Sequence, residues 1–467
     1  MRVLLFHGYM LRGTGSNIYN ANLARALAKL GHEVHLLCQD RETRVEGVEI
    51  HNPDIHGLLP VYVKDPYEGF EVKTFPELTD EELDRYIEAN VAAVRDVAAR
   101  AGGIDVALAN HLVMGPAILA RADVAPFAAK IHGSALEYTV KPHPRFLPYA
   151  MEGIEAASGV LVGSRHTAES LWEALPDVEG LRGKTRLGPP GVDTEAFRPR
   201  DPSRPRGGLR AGAGPPFSAP PSPRHPRRVV FVGKLIVSKG VDLLLAAWPL
   251  VKAEHPEAQL EVAGFGEYEV GLRQLLGALE AGDLDEAREV ARLGWGLEGG
   301  EKKPLPILSA FLASPPAGYA EAARAAAGSV EFVGRLEHDE VAELLPDAEA
   351  LVMPSTFPEA FGMVAAEAAA CGALPVSAGH SGMLEVSRQL AQALPPEVGR
   401  LTSFPAEEGA VEAIAERLNA WLALPERERA AAREALVETA RRLWSWEGVA
   451  DGVIAAARGE LDGLPDA

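Results

Sequence analysis

The sequence predicts an α/β protein built as two similar halves, each a mostly parallel sheet covered by helices on both faces. Two observations carry this. Short apolar, β-branched runs alternate with alanine-rich helical stretches along the chain, and the alternation breaks once before restarting. Length agrees, since 467 residues at roughly 100–200 per domain accommodates two domains.

Residues 3–6 read as a buried strand, followed by a turn holding Gly13 and Gly15. A helix is expected over about 16–30, with Leu23, Leu27 and Leu30 on one face and Gly31 as its stop. Further strands fall at 34–37, 104–109, 127–131 and 159–162. Residues 198–228 are rich in Pro, Gly and Ser and carry eight arginines against one aspartate. Such a stretch buries too little apolar surface to order itself, so it reads as a flexible linker. The alternative is a basic patch for anionic lipid or substrate. Strands then resume at 229–232, 259–263, 330–333, 350–353 and 374–377. Between two of them, 268–328 is amphipathic with helical spacing, an inserted helical excursion. A closing helix is expected over 444–456. No fixed-period repeat is present, which excludes a solenoid.

Net charge is −20, which argues against a broad nucleic-acid surface but leaves small anionic ligands open. Cys38 and Cys371 are too few for a disulfide framework or a four-cysteine zinc site, and a reduced, intracellular setting fits them best. Only four consecutive apolar residues precede His7, too short for a secretory signal, and no run approaches 18 apolar residues. The expectation is a cytoplasmic protein, with peripheral contact to the inner face of the membrane left open by the basic stretch.

The most informative segment is MPSTFPEAFGMVAAEAAACG, 353–372. A strand ends at Met353, a Pro-bearing loop delivers Glu359, Phe361 and Gly362, and an alanine-rich helix follows with Glu367 in its second turn. Such a helix start offers unpaired amides and a positive dipole end to a phosphate. In VVFVGKLIVSKGVDLLLAAW, 229–248, the strand ends at Gly233, and Lys234 and Lys239 flank a short loop where they could neutralise a diphosphate. LGPPGVDTEAF, 187–197, is a turn-rich exit with Asp193 capping or packing the turn. IHGSALEY, 131–138, places His132 just after a strand with Glu137 close behind, where open α/β sheets bind ligands. VAGFGEY and FVGRLEHDEV place Gly264 and Gly334 at strand ends, leaving room for a flat base.

The order of HGS, PPGVDTEAF, VGKL…SKG, AGFGE, FVGRL and PEAFGMVAAEAAACG resembles the glycosyltransferase group 1 family. The resemblance covers nearly the whole chain except the Arg/Pro stretch and 268–328. It implies two Rossmann-like domains facing a central cleft (GT-B), with the C-terminal helix crossing back to the first domain. The domains would be 1–197 with about 445–467 on the acceptor side, a linker at 198–228, and 229–444 binding the nucleotide sugar. It implies a retaining transferase using a nucleoside-diphosphate sugar, UDP-linked by preference, and an acceptor hydroxyl. Lys234 and Lys239 would hold the diphosphate, Lys234 standing where the family commonly has arginine. Glu359 would bind donor-sugar hydroxyls, Phe361, Gly362 and Met363 would line sugar and phosphates, and Glu367 would bind the ribose. Gly13 and Gly15 would lie beneath the diphosphate, His132 near the reacting sugar, and Arg335 and Leu336 beside the base, with Gly233 and Gly264 on the donor loops. His132, Lys239 and Glu359 are thus the catalytic candidates. Glu137, Lys141, His143 and Arg145 could receive an anionic acceptor.

No metal is implied. Asp283 and Asp285 match the Asp-x-Asp motif of the other large transferase fold, but they lie in the helical excursion rather than at a core strand's end. Two other readings use the same layout: a nucleotide-sugar 2-epimerase-like isomerase, and a non-catalytic nucleotide-sugar-binding protein.

Overall fold

A computed structural model describes residues 1–63, 67–200 and 227–467. The chain divides into two compact units, Met1–Gly191 with Trp444–Ala467, and Val192–Leu443.

In the first unit the strands are β1 (Arg2–Phe6), β2 (Glu33–Leu37), β3 (Val48–His51), β4 (Leu58–Val61), β5 (Glu71–Thr74), β6 (Val106–Asn110), β7 (Phe127–Ile131), β8 (Gly159–Val162) and β9 (Thr185–Leu187). Among the described residues they form a seven-stranded parallel sheet in the order β3-β2-β1-β6-β7-β8-β9, with β4 and β5 paired apart from it. The central strands are mostly apolar because both faces are covered, with Asn110 and Lys130 as the polar residues of β6 and β7. One face packs Leu83, Ile87, Ile118 and Leu171 from its helices, the other Leu23 and Leu27 together with Trp446, Val453 and Ile454.

The helix Trp446–Arg458 therefore belongs to the first unit's core, although some 250 residues of the second unit precede it. Trp446 lies against Tyr19 and over Gly191, where a Cβ would sit 2.5 Å from the indole. That contact accounts for the glycine of the PGVD turn. Asp193 caps the same turn, accepting from the amides of Glu195 and Ala196 at 3.1 Å.

The second unit contains β10 (Arg228–Val232), β11 (Gln259–Ala263), β12 (Val330–Gly334), β13 (Ala350–Met353), β14 (Leu374–Ala378) and β15 (Ser403–Phe404). They form a parallel sheet in the order β12-β11-β10-β13-β14-β15. Between β11 and β12 run the helices Glu269–Ala281, Leu284–Leu293, Pro306–Ala313 and Tyr319–Ala325. Asp283 is the cap of one of them, accepting from the amides of Asp285 and Glu286, and Asp285 pairs with Arg288 at 2.6 Å.

Two expectations at the junction need correction. Residues 192–197 group with the second unit, Phe197 packing its ring 4.8 Å from that of His338. The ends of the Arg/Pro stretch are also built in. Arg200 makes a bidentate pair with Asp347 at 2.5 and 2.8 Å, Arg227 pairs with Glu257, and Arg228 lies in β10 paired with Glu261. These arginines are neutralised by carboxylates rather than offered to an anionic surface. Residues 201–226 lie outside the described residues. Among the described residues no helix is long and apolar enough to cross a membrane.

Candidate active site

In each sheet the strand order reverses at one point, between β1 and β6 in the first unit and between β10 and β13 in the second. Loops leaving the carboxyl ends of strands diverge there and open a crevice. Gly13, Lys234, Lys239, Glu359, Phe361 and Gly362 lie on the loops that follow β1, β10 and β13, and Gly15 ends the first of these loops.

In the second unit, the loop after β10 runs against the loop after β13. Thr356 donates its amide to the Ser238 carbonyl at 2.9 Å, and a Cβ on Gly240 (φ 65°) would lie 2.1 Å from the Pro354 carbonyl oxygen. Only glycine fits that approach. It carries the Lys239 ammonium onto the Glu359 carboxylate. Ser355 donates to the same Glu359 oxygen at 2.7 Å, and the Glu359 amide donates to Ser381 Oγ at 2.9 Å. Burial works against ionisation of Glu359, but the Lys239 ammonium, the Ser355 hydroxyl and His380 together hold its carboxyl below the usual range. Glu359 is thus a fixed anion.

The helix Met363–Ala370 starts at Gly362 (φ 100°), and among the described residues no side chain caps it and no acid sits in its first turn. Phe361 is buried and Met363 half-buried beside that start. Glu367, 3% exposed, accepts from His338 Nε2 at 2.8 Å. Burial lowers the imidazole's pKa, yet the Glu367 hydrogen bond and charge, with Asp193 and Asp339, raise it above the ordinary value overall. Sequence reasoning missed His338.

Lys234 and Arg335 lie over the Phe265 ring, at 6.0 and 4.9 Å from its centre, and Arg335 pairs with Glu337. Leu336 is half-buried on the same loop. At Gly264 the missing side chain makes room for the Gly233 carbonyl, 1.9 Å from where a Cβ would be. The helical excursion contributes here, because Glu298 accepts the Val237 amide at 2.7 Å and so anchors the turn that carries Lys239.

In the first unit, His7, His111 and His132 follow β1, β6 and β7 and meet ring to ring, His111 lying 5.8 Å from His7 and 4.9 Å from His132. Asn20 donates to His7 Nδ1 at 3.0 Å and to the Ser16 carbonyl at 2.9 Å, and Asn110 donates to Asn20 Oδ1 at 2.7 Å. His132 Nε2 donates to Asn110 Oδ1 at 2.8 Å. Burial pushes His7 down to about 4 and holds His111 and His132 well below 6.5, so all three rings are neutral near pH 7. Lys130, 2% exposed inside β7, was also missed. It donates to the Gly188 carbonyl at 2.5 Å, and burial pushes it down to about 7. Gly13 is exposed at φ 91°, and Gly15 opens the helix Gly15–Lys29, which has no side-chain cap among the described residues.

The acceptor candidates do not assemble into a cationic receptor. Glu137 and Lys141 pair with each other at 3.0 Å, and Lys141 also donates to Ser170. Arg145 is tied to the Leu78 carbonyl and to Asp80, and His143 packs edge-on against Phe146. Their charges are spent on holding the loop to neighbouring helices.

Both units match glycosyltransferase family models. Residues 320–442 match the one described as Glycosyl transferases group 1, and 13–196 the one described as Glycosyltransferase Family 4. The chain belongs to the group 1 glycosyltransferases. It is 30% identical over 275 residues to D-inositol 3-phosphate glycosyltransferase of Segniliparus rotundus, covering 59% of this chain and 47% of that protein. It is 28% identical over 388 residues to the enzyme of the same name from Xylanimonas cellulosilytica, covering 80% and 77%. The chain thus spans about half of the first relative and three quarters of the second.

Among solved structures it is similar to sucrose-phosphate synthase from Thermosynechococcus elongatus, with TM-score 0.59, 20% identity and 98% of each chain covered. It is also similar to Anabaena HepE in complex with UDP and glucose, with TM-score 0.58, 15% identity and 98% and 99% covered. At such identities the likeness fixes the fold, the GT-B type.

Proposed function

We propose that this chain is a retaining hexosyltransferase that moves a sugar from a UDP-linked donor to an acceptor hydroxyl without a metal ion. The observation that carries it is the joining of Lys239 to Glu359 at the strand-order reversal of the second unit, beside the uncapped start of the helix Met363–Ala370. Lys239, Lys234 and the helix amides take up the charge that develops on the diphosphate as its bond to the anomeric carbon breaks. Glu359 orients the sugar through its hydroxyls, and Phe361, Gly362 and Met363 line sugar and phosphate. Glu367, fixed by His338, takes the ribose, and Arg335 and Leu336 frame the base.

The acceptor oxygen bonds to the anomeric carbon on the face the diphosphate leaves, and its proton passes to a leaving phosphate oxygen. Lysines and amides supply the countercharge that a metal would otherwise bring. In the first unit the proposed contributors are His132, neutral and oriented by Asn110, and the helix start at Gly13 and Gly15. UDP is favoured because the similar HepE structure holds it. The relatives' name makes a phosphorylated inositol the first acceptor to try. A cytoplasmic location, with any membrane contact peripheral, belongs to the same proposal.

The test is a thermal-shift screen of UDP-, GDP- and ADP-sugars, followed by turnover with acceptors in excess chelator. UDP-sugars should raise the melting temperature, and the product should keep the donor's anomeric configuration by proton NMR. The Lys239→Ala/Glu367→Ala double variant should lose transfer by at least about 1,000-fold while remaining folded. Normal turnover by that variant overturns the proposal. Epimerised donor in the absence of acceptor would favour the isomerase, and activity that needs magnesium would remove the metal-free scheme.

A further inference from the structure

At the β2–β3 edge of the first unit's sheet, three side chains converge that none of the chemistry above uses. His35 stands on β2 opposite Glu49 on β3, and His51 follows two residues later on the same face. His35 Nδ1 lies 3.1 Å from His51 Nε2 and 3.4 Å from Glu49 Oε2, and the other Glu49 oxygen is 3.7 Å from His51 Nε2. Among the described residues this is the one group of three His, Cys, Asp or Glu side chains whose ligand atoms all lie within 4.8 Å of one another.

His35 Nε2 is 3.2 Å from Glu33 Oε1, and an ionised carboxylate only accepts, so Nε2 carries a hydrogen and Nδ1 is the ring nitrogen that faces His51 Nε2 and the Glu49 carboxylate. A single cation held among them would bind all three groups at once. Atoms bound at about 2.0–2.2 Å to a tetrahedral ion lie about 3.3–3.6 Å apart, close to the 3.1 and 3.4 Å that separate His35 Nδ1 from His51 Nε2 and from Glu49 Oε2. A carboxylate behind the imidazole, as Glu33 stands behind His35, is how metal-ligating histidines are oriented. His35 is buried and His51 half-buried, at 4% and 10% side-chain exposure, whereas Glu49 is 61% exposed and can swing onto an arriving ion.

We propose that His35, Glu49 and His51 bind a divalent cation of the zinc class. Two imidazoles and one carboxylate suit zinc or its cobalt and nickel neighbours better than magnesium or calcium, which take all-oxygen sets. Three protein ligands leave one position for water. The ion fastens the outermost strand β3 to β2, and so steadies the 38–47 connection. There buried Asp40 accepts the Leu11 amide at 3.2 Å and the Thr43 hydroxyl at 2.8 Å. The site is structural and takes no part in sugar transfer.

The experiment uses the full chain, freed of metal by chelator and titrated with cobalt(II), then zinc. The wild type should take up one cobalt with the visible absorption of a low-coordinate nitrogen–oxygen site, and one zinc should displace it. Zinc should also raise the melting temperature. Glu49→Gln and His51→Gln should each weaken cobalt binding at least 10-fold and abolish the zinc-dependent shift. Glu49 is exposed enough that its variant keeps the fold, which circular dichroism checks. An unchanged cobalt spectrum in the Glu49→Gln/His51→Gln double variant overturns the proposal. So does a wild-type chain that binds cobalt more weakly than about 100 μM.

Discussion

Asp242, in the first turn of the helix Val241–Glu254, is 3% exposed, and burial pushes its carboxyl from 3.8 up to about 7 against the pull of its own amide. A carboxyl raised in the folded state stabilises fully below its unfolded pKa, and that contribution is lost as pH rises towards 7. Asp242→Asn should therefore match wild type near pH 4 and be more stable by about 2–4 kcal/mol at pH 8, read from urea unfolding at both values. The histidine cluster carries the opposite sign. His7, depressed from 6.5 to about 4, contributes stability present above pH 6.5 and lost as pH falls through 4. The first unit should lose roughly 3 kcal/mol over that interval from His7 alone, and His7→Gln should flatten the slope of urea midpoint against pH. Lys239 and Glu359 stood out as candidates in the sequence because they are charges on Gly- and Pro-bearing loops after apolar runs, and Glu367 because it is the one charge in an alanine-rich helix. His338 was hidden among acidic neighbours that suggest a solvated surface, and its partner stands 29 residues away. Lys130 was hidden inside an apolar strand, its carbonyl partner 58 residues on.

Among the elements, the excursion between β11 and β12 has a definite task through Glu298. A charged acceptor holding a backbone amide is worth about 1.5–3 kcal/mol, and here that bond fixes the turn that aims Lys239. Glu298→Ala should lower kcat/KM for donor by about 10-fold or more with little change in melting temperature, measured by steady-state kinetics with donor varied. An apolar amphipathic pattern revealed that this stretch is helical. It could not reveal the carboxylate that leaves it for another loop. The central strands were readable because burial on both faces makes each a mostly apolar run. β3, β4, β5, β9 and β15 were not. β3 alternates His, Glu and apolar residues on a half-exposed edge, β4 contains Pro60, and β9 and β15 have only three and two residues, so pairing with a neighbour creates them.

At the scale of the whole molecule, the closing helix was legible as a helix, and only the family resemblance indicated where it belongs. Removing the Trp446 side chain should cost the first unit roughly 3–5 kcal/mol, a large core-to-cavity loss. In calorimetry Trp446→Ala should move the first unit's transition and leave the second's in place. The path of the chain also sets an order of assembly. A ribosome completes the second unit while the first still lacks part of the cover on one face of its sheet, and the bare surface left by Trp446, Val453 and Ile454 stays open until translation has passed residue 458. The half made first is the half finished last, so chaperones would meet it as an unfinished domain for as long as the second unit takes to emerge.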